Sequence, residues 1–159
     1  MEMRPLLLPL ALLLTLLSSC APSTPPAMRT HALRLLPGQD LKVKLLRYVE
    51  EHDIEAGYVL TCVGSLTDYN LRFANQDSGS TGGGHFEIVS LVGTLSIHGS
   101  HLHASIADGT GEVLGGHLLD GNIIYTTAEI VIGESPNLVF DRVLDEETTY
   151  KELRVNEKE

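Results

Sequence analysis

The chain has no tryptophan, and five tyrosines with three phenylalanines bring aromatics to only 5% of its 159 residues. A surface that stacks the bases of single-stranded nucleic acid needs several aromatic rings, so that class is disfavoured. Positive charge is scarce too: 11 Lys and Arg stand against 21 Asp and Glu, a formal net charge of −10. Phosphate backbones are held by clustered cations. Lys42, Lys44 and Arg47 share one segment but are followed at once by Glu50 and Glu51, so no nucleic-acid partner is expected. Cysteine is nearly absent, at two residues. One of them, Cys62, lies in the apolar run YVLTCV and reads as a small core residue rather than a nucleophile, since no base is near it in sequence. There is also no apolar run long enough to cross a bilayer as a helix, which takes roughly 20 residues.

The longest apolar run lies at the N-terminus, where MEMRPLLLPLALLLTLLSSC places Arg4 before a leucine-rich stretch from Leu6 to Leu17. A basic residue, a short apolar stretch and a small-residue cleavage site form a secretion signal. Leu17-Ser18-Ser19-Cys20 is similar to a bacterial lipobox, whose cysteine takes lipid and becomes the new N-terminus. The alternative is an ordinary signal cut near Ala21, with Cys20 incidental. Residues 21–27, APSTPPA, suit an extended, semi-rigid tether. The expectation is a lipoprotein-type signal over residues 1–20, a tether over 21–27, a folded domain over 28–155 and a polar tail over 156–159. The protein is then exported and held in the bacterial cell envelope by lipid on Cys20.

Within the domain, Thr30–Leu35 alternates weakly, as a strand does, and Pro37-Gly38 ends it. Asp40 is a candidate N-cap for a helix to about His52, with Leu41, Leu45, Leu46 and Val49 on one face. Val59–Val63 reads as a buried strand, followed by a turn and a short strand at Leu71–Ala74. Residues 76–84, QDSGSTGGG, read as a linker loop. A phosphate cradle is the weaker alternative, because neither a lysine nor a helix follows. From Phe86 the pattern is a meander: strands at Phe86–Ile97, His101–Ala107, Glu112–Leu119, Ile123–Ile132 and Leu138–Leu144, separated by short turns. Asp145–Lys151 reads as a turn or short helix. Short turns make neighbouring strands antiparallel. The fold class expected is α+β (mixed α/β), an antiparallel-rich sheet with one main helix packed on it.

The segment HGSHLHASIADGTGEVLGGHLL, residues 98–119, holds His98, His101, His103 and His117, four of the seven histidines. Successive strand side chains alternate faces, so His101 and His103 share one. His117 joins them only if the hairpin loop is Gly109-Thr110-Gly111. That loop pairs Asp108 with Glu112 and sets His103 opposite His117, and Gly111 suits its left-handed position. A loop one residue shorter or longer sends His117 to the other face unless a bulge at Gly115-Gly116 restores it. Three imidazoles on one face suit zinc, with copper, nickel or ferrous iron as alternatives, and leave a position open. Otherwise the three are polar surface or hydrogen-bonded histidines. His98 is a bystander in the turn, and His31, His52 and His85 read as surface residues. Glu87 and Glu129 lie inside strands; each is a general base, a support for a metal ligand, or a solvent-facing side chain.

GHFEIVSLVG (84–93), HLHASIAD (101–108), GGHL (115–118) and TAEIVI (127–132) together resemble the plants and prokaryotes conserved (PPC) domain. VGSL (63–66) and PGQDL (37–41) fit as well. The resemblance covers nearly all of residues 29–155. It implies a mixed α/β domain with an antiparallel sheet, assembled as a homotrimer, and carries His101, His103 and His117 over as metal ligands. In plants the domain follows AT-hooks that bind DNA; this chain has no AT-hook.

Three functions compete. The first is an exported module that uses the metal site to bind a small anionic ligand or a protein. The second is a metal-dependent enzyme, a hydrolase or lyase, with Glu87 or Glu129 as base. The third is DNA binding by association with the plant proteins, and acidity and the export signal weigh against it. A convergent acid beside the histidines separates the second from the first.

Overall fold

A computed structural model describes residues 27–158. The segment read as a signal, Cys20, and the tether up to Pro26 lie outside the described residues. Nine elements follow in order: β1 Arg29–Leu35, α1 Leu41–Glu51, β2 Gly57–Arg72, β3 Ser80–Ser96, β4 Gly99–Ala107, β5 Val113–Leu118, β6 Ile123–Glu134, β7 Leu138–Leu144 and β8 Lys151–Glu157. The first six strands form one antiparallel sheet in the order β1-β6-β2-β3-β4-β5, and β7 and β8 form a separate hairpin. The sheet also closes on itself. β5 returns to the far end of β2, pairing Leu71 with Leu118 and Arg72 with His117. An antiparallel-rich sheet with one helix is the expected class.

Asp40 caps α1 as its sequence position predicts: its carboxylate accepts from the Val43 amide at 3.0 Å. Leu41, Leu45 and Val49 are fully buried, one turn apart, while Leu46 is only half-buried. They belong to the same buried core cluster as the sheet residues Leu66, Leu95, Ile124 and Ile132. Leu102, Ala104 and Ile106 supply the buried face of β4, so His101 and His103 occupy its outer face. Among the described residues, no helix is long and apolar enough to cross a membrane.

Three stretches differ from the sequence reading. Residues 57–72 are one strand, not two strands and a turn. β2 lies between β3 and β6, so ladder bonds on both edges outweigh the turn preference of Gly64-Ser65 and Asp68, and bulges near Leu66 and Asp68 absorb the irregularity. The glycine run is not a loop over its full length either: Ser80–Gly83 pair with Asp68–Leu71, and the Tyr69 ring lies across Gly82 where a side chain would stand. Finally, Lys151–Glu157 is a strand that pairs with β7 along its whole length, reaching two residues into the segment read as a polar tail. Its side chains are mostly exposed, so no alternating apolar pattern marks it. The segment before it is a turn rather than a helix, fixed by Asp145, whose carboxylate accepts from the Glu147 and Thr148 amides.

Candidate metal centre

The β4–β5 turn has the geometry that the histidine site requires. Asp108 donates its amide to the Glu112 carbonyl at 3.0 Å, closing the three-residue loop. Gly111 takes φ +86°, where a side chain would be strained. The Asp108 carboxylate accepts from the Thr110 hydroxyl at 2.7 Å and from the Thr110 and Glu112 amides, and these bonds hold its pKa below the usual value. Down the ladder from this turn, Ala107 faces Val113, Ser105 faces Gly115, and His103 faces His117. No bulge is needed.

The three rings converge on the outer face of the sheet. Their centroids stand 5.0, 5.1 and 5.5 Å apart. One nitrogen from each of His101, His103 and His117 lies within 4.8 Å of the others. The Nε2 atoms of His101 and His103 are 3.1 Å apart. Two nitrogens at zinc-ligand length on a tetrahedral ion are separated by roughly 3.3 Å, so this pair already has the spacing of shared ligands. His117 Nδ1 is buried and has no hydrogen-bond partner among the described residues, although a buried polar atom ordinarily finds one. Burial pushes the His117 pKa down to about 4, with the charges of His101, Arg72 and His103 adding to it. Burial also lowers that of His101, followed by His103 and Arg142. Both rings are therefore held towards the neutral form that a metal needs. The donor set fits a divalent transition ion.

Neither candidate acid accompanies the triad. Glu87 is exposed and faces Ala107, four residues along β4 from His103, or about 13 Å at the rise of a strand. Glu129 is exposed between Arg34 on β1 and Val63 on β2. Of the three readings left open for each, facing solvent is the one seen. The carboxylate beside the histidines is Glu152 of β8. It lines two adjoining cavities, one of about 320 Å³ with His101, His103 and Arg142, the other of about 360 Å³ with Arg72, His101 and His117. Nothing in the sequence pattern pointed to Glu152 or Arg142, because the β7–β8 hairpin reaches the site only through tertiary packing. That hairpin is anchored by the Phe140 amide on the Glu55 carbonyl at 2.8 Å, by the Ser96 hydroxyl on the Phe140 carbonyl at 2.7 Å, and by the Arg142 guanidinium on the Thr94 hydroxyl.

The remaining histidines stand apart from the triad. His98 approaches Asp141 at 3.9 Å, and the His85 ring lies 4.3 Å from that of Tyr125. His31 departs from its surface reading. Its Nε2 lies 3.0 Å from the buried carboxylate of Glu134, and its ring meets Tyr48 and His52 edge-on. Among the described residues Cys62 is buried and unpaired, and desolvation raises its thiol to about 12, as a core role requires.

Comparison with known proteins places these features in a family. The chain is 44% identical over 134 residues to the bifunctional protein GlmU of a Synechococcus strain, which covers 84% of this chain but only 21% of that protein. The chain thus spans about a fifth of the length of its curated relatives. A hypothetical protein from Salmonella has a solved structure with 41% identity and a TM-score of 0.82, over 84% of this chain and 96% of that one. A metal-containing protein of Archaeoglobus fulgidus shares the fold at 24% identity and a TM-score of 0.68, over 79% of this chain and 93% of that one. The pattern of the Plants and Prokaryotes Conserved (PCC) domain matches residues 22–136, and the chain belongs to that family.

Proposed function

We propose that the protein is an exported, lipid-anchored PCC-domain module whose His101, His103 and His117 hold one divalent transition ion, zinc first among the candidates. Its role is to bind a small ligand or a protein at that site. The observation that carries the reading is the convergence of three imidazole donors within 4.8 Å on one sheet face, with His117 Nδ1 buried and without a partner among the described residues. Three protein ligands leave a position for a ligand or water. The Archaeoglobus fulgidus protein of the same fold is metal-containing, which supports the same reading. The signal segment and Cys20 supply the anchor, and the resemblance to the family supplies the expectation of a homotrimer.

The test is metal content by mass spectrometry on the full chain, beside a His101→Ala/His103→Ala variant. About one zinc per chain, lost in the variant, is the expected result. No metal in either protein after incubation with zinc overturns the reading. For the anchor, Cys20→Ala should move the chain out of the detergent-soluble membrane fraction; retention there removes the lipid from the account.

A second reading, a metal-dependent hydrolase or lyase, is favoured by one feature: the carboxylate of Glu152 lines both cavities beside the triad. A bound zinc would there act as a Lewis acid. Glu152 is then the group of this chain positioned to take a proton. Turnover of ester or phosphoester substrates by the zinc-loaded chain, lost in Glu152→Gln, distinguishes it from the first reading.

A further inference from the structure

The histidine face carries more positive charge than an acidic chain of net charge −10 leads one to expect. Two arginines reach it by separate routes. Arg72 is the cross-strand partner of His117, and directly opposed residues in an antiparallel pair project to the same face. Thr94 is the cross-strand partner of His101, and the Arg142 guanidinium donates to the Thr94 hydroxyl. Arg142 therefore stands on the His101 side of the triad and Arg72 on the His117 side. Lys151 adds a third cation to the wall of the cavity shared by Arg72, His101 and His117.

Among the described residues that line these cavities, one carboxylate opposes the three cations. Glu152 lines both cavities, and its Oε1 accepts from the Thr148 hydroxyl at 3.1 Å. The sum over Arg72, Arg142, Lys151 and Glu152 is positive before any metal is counted. Neither guanidinium is used up by its protein contacts. Among the described residues, Arg142 gives one nitrogen to Thr94, and Arg72 makes a single long contact of 3.4 Å to the Gln76 carbonyl. A guanidinium has five N–H donors in a planar fork, so donors remain on both for a carboxylate or phosphate. The cavities, about 320 and 360 Å³, are of small-molecule size.

We propose that the space between the triad and the β7–β8 hairpin is an oxyanion pocket, in which Arg142 and Arg72 bind a small molecule bearing a carboxylate or phosphate group. The inference rests on the metal-site reading for its location and adds to it the chemical class of the ligand. It also gives a role to the hairpin, which lies beyond the residues 22–136 that match the family pattern. Lys151 strengthens the field, and Glu152 disfavours a ligand that carries negative charge all round.

The experiment is titration calorimetry with malonate and with inorganic phosphate on the full chain, both zinc-loaded and metal-free. It compares wild type with Arg142→Gln, Arg72→Gln, Arg142→Lys and the remote control Arg47→Gln. Zinc content and thermal midpoint are recorded for each. Binding of at least one probe is expected, weakened about tenfold or more in each glutamine variant, as the loss of a charge-assisted pair implies, and unchanged in the control. Arg142→Lys should recover part of the loss while melting like wild type, which separates charge from folding. Preference for malonate or phosphate tells which oxyanion the pocket suits. If zinc is absent but arginine-dependent binding persists in the metal-free chain, the metal reading fails and the oxyanion pocket stands. If neither probe binds either form, or the glutamine variants keep wild-type affinity, the pocket is overturned.

Discussion

His103 and His117 face one another across β4 and β5, with ring centroids 5.5 Å apart, and the only chain between their strands is the turn after Asp108. The site thus depends on the register of one hairpin. A single-residue slip would move His117 to the buried face of the sheet. Its consequences can be measured.

Insertion of one alanine between Gly116 and His117 should abolish zinc binding. The turn and the ladder up to Gly116 stay in place, the inserted residue takes the position opposite His103, and His117 passes to the other face of the strand. Mass spectrometry on the purified variant reads the result, with circular dichroism to confirm that strand content remains. One zinc per chain in a folded insertion variant contradicts the dependence on register.

Gly93 lies across from Leu102, between the partners of the two β4 histidines, at φ +139°. A Cβ there would stand 2.0 Å from the His101 carbonyl oxygen. Gly93→Ala is therefore expected to destabilise the domain by about 3 kcal/mol, through backbone strain added to a contact with main chain that cannot rotate away. Urea unfolding gives the number, and a loss below about 0.5 kcal/mol would mean that β3 and β4 separate more freely than their ladder indicates.

Metal should stabilise the folded chain, because the preformed triad binds the ion and the unfolded chain does not. At 100 times the dissociation constant the gain is about 2.7 kcal/mol. The thermal midpoint should rise with zinc, fall back on chelation, and stay fixed in His101→Ala/His103→Ala. An equal zinc shift in the double variant would place the bound metal elsewhere.

The metal-free chain should lose stability as the pH falls from about 6.5 to about 4. The His117 pKa is about 4 in the folded protein against 6.5 for an unperturbed imidazole. The unfolded state then binds the extra proton across that window, and stability rises with pH where the unfolded state holds more protons. His101 is shifted in the same direction. The urea midpoint of wild type should fall relative to that of His117→Gln as the pH is lowered from 7.5 through 6 to 5, since the variant lacks the penalty. Parallel profiles would show that His117 titrates normally.

Cys62 should resist alkylation at pH 8 in the folded chain and react at an ordinary thiol rate in urea. Its thiol is desolvated to about 12, so almost no thiolate exists at that pH. Rapid labelling of the native protein at residue 62 would mean that β2 opens locally.

Much of the architecture was legible because local chemistry agreed with the final fold. Asp40 before an apolar stripe marked the helix, and Asp108 through Glu112 marked the turn, since each carries its own hydrogen-bond partners within a few residues. His101 and His103 followed from strand parity, and His117 joined them on the condition of that turn. The reading failed where distant strands decide. Gly64–Asn70 looks like a turn but is held straight by β3 and β6, and Ser80–Gly83 looks like a loop but is paired by β2.

The sequence by itself determined that His101 and His103 share one face of their strand and reduced the place of His117 to a condition on one turn, because period two and loop length are local geometry. Only the tertiary structure decided what surrounds them. Arg72 reaches His117 because β5 closes back onto β2, and Arg142 and Glu152 reach the triad because β7 and β8 fold across it. β8 carries no apolar alternation, and its side chains stay mostly exposed. It is held by backbone pairing with β7, a bond that every residue offers and that no sequence pattern therefore announces.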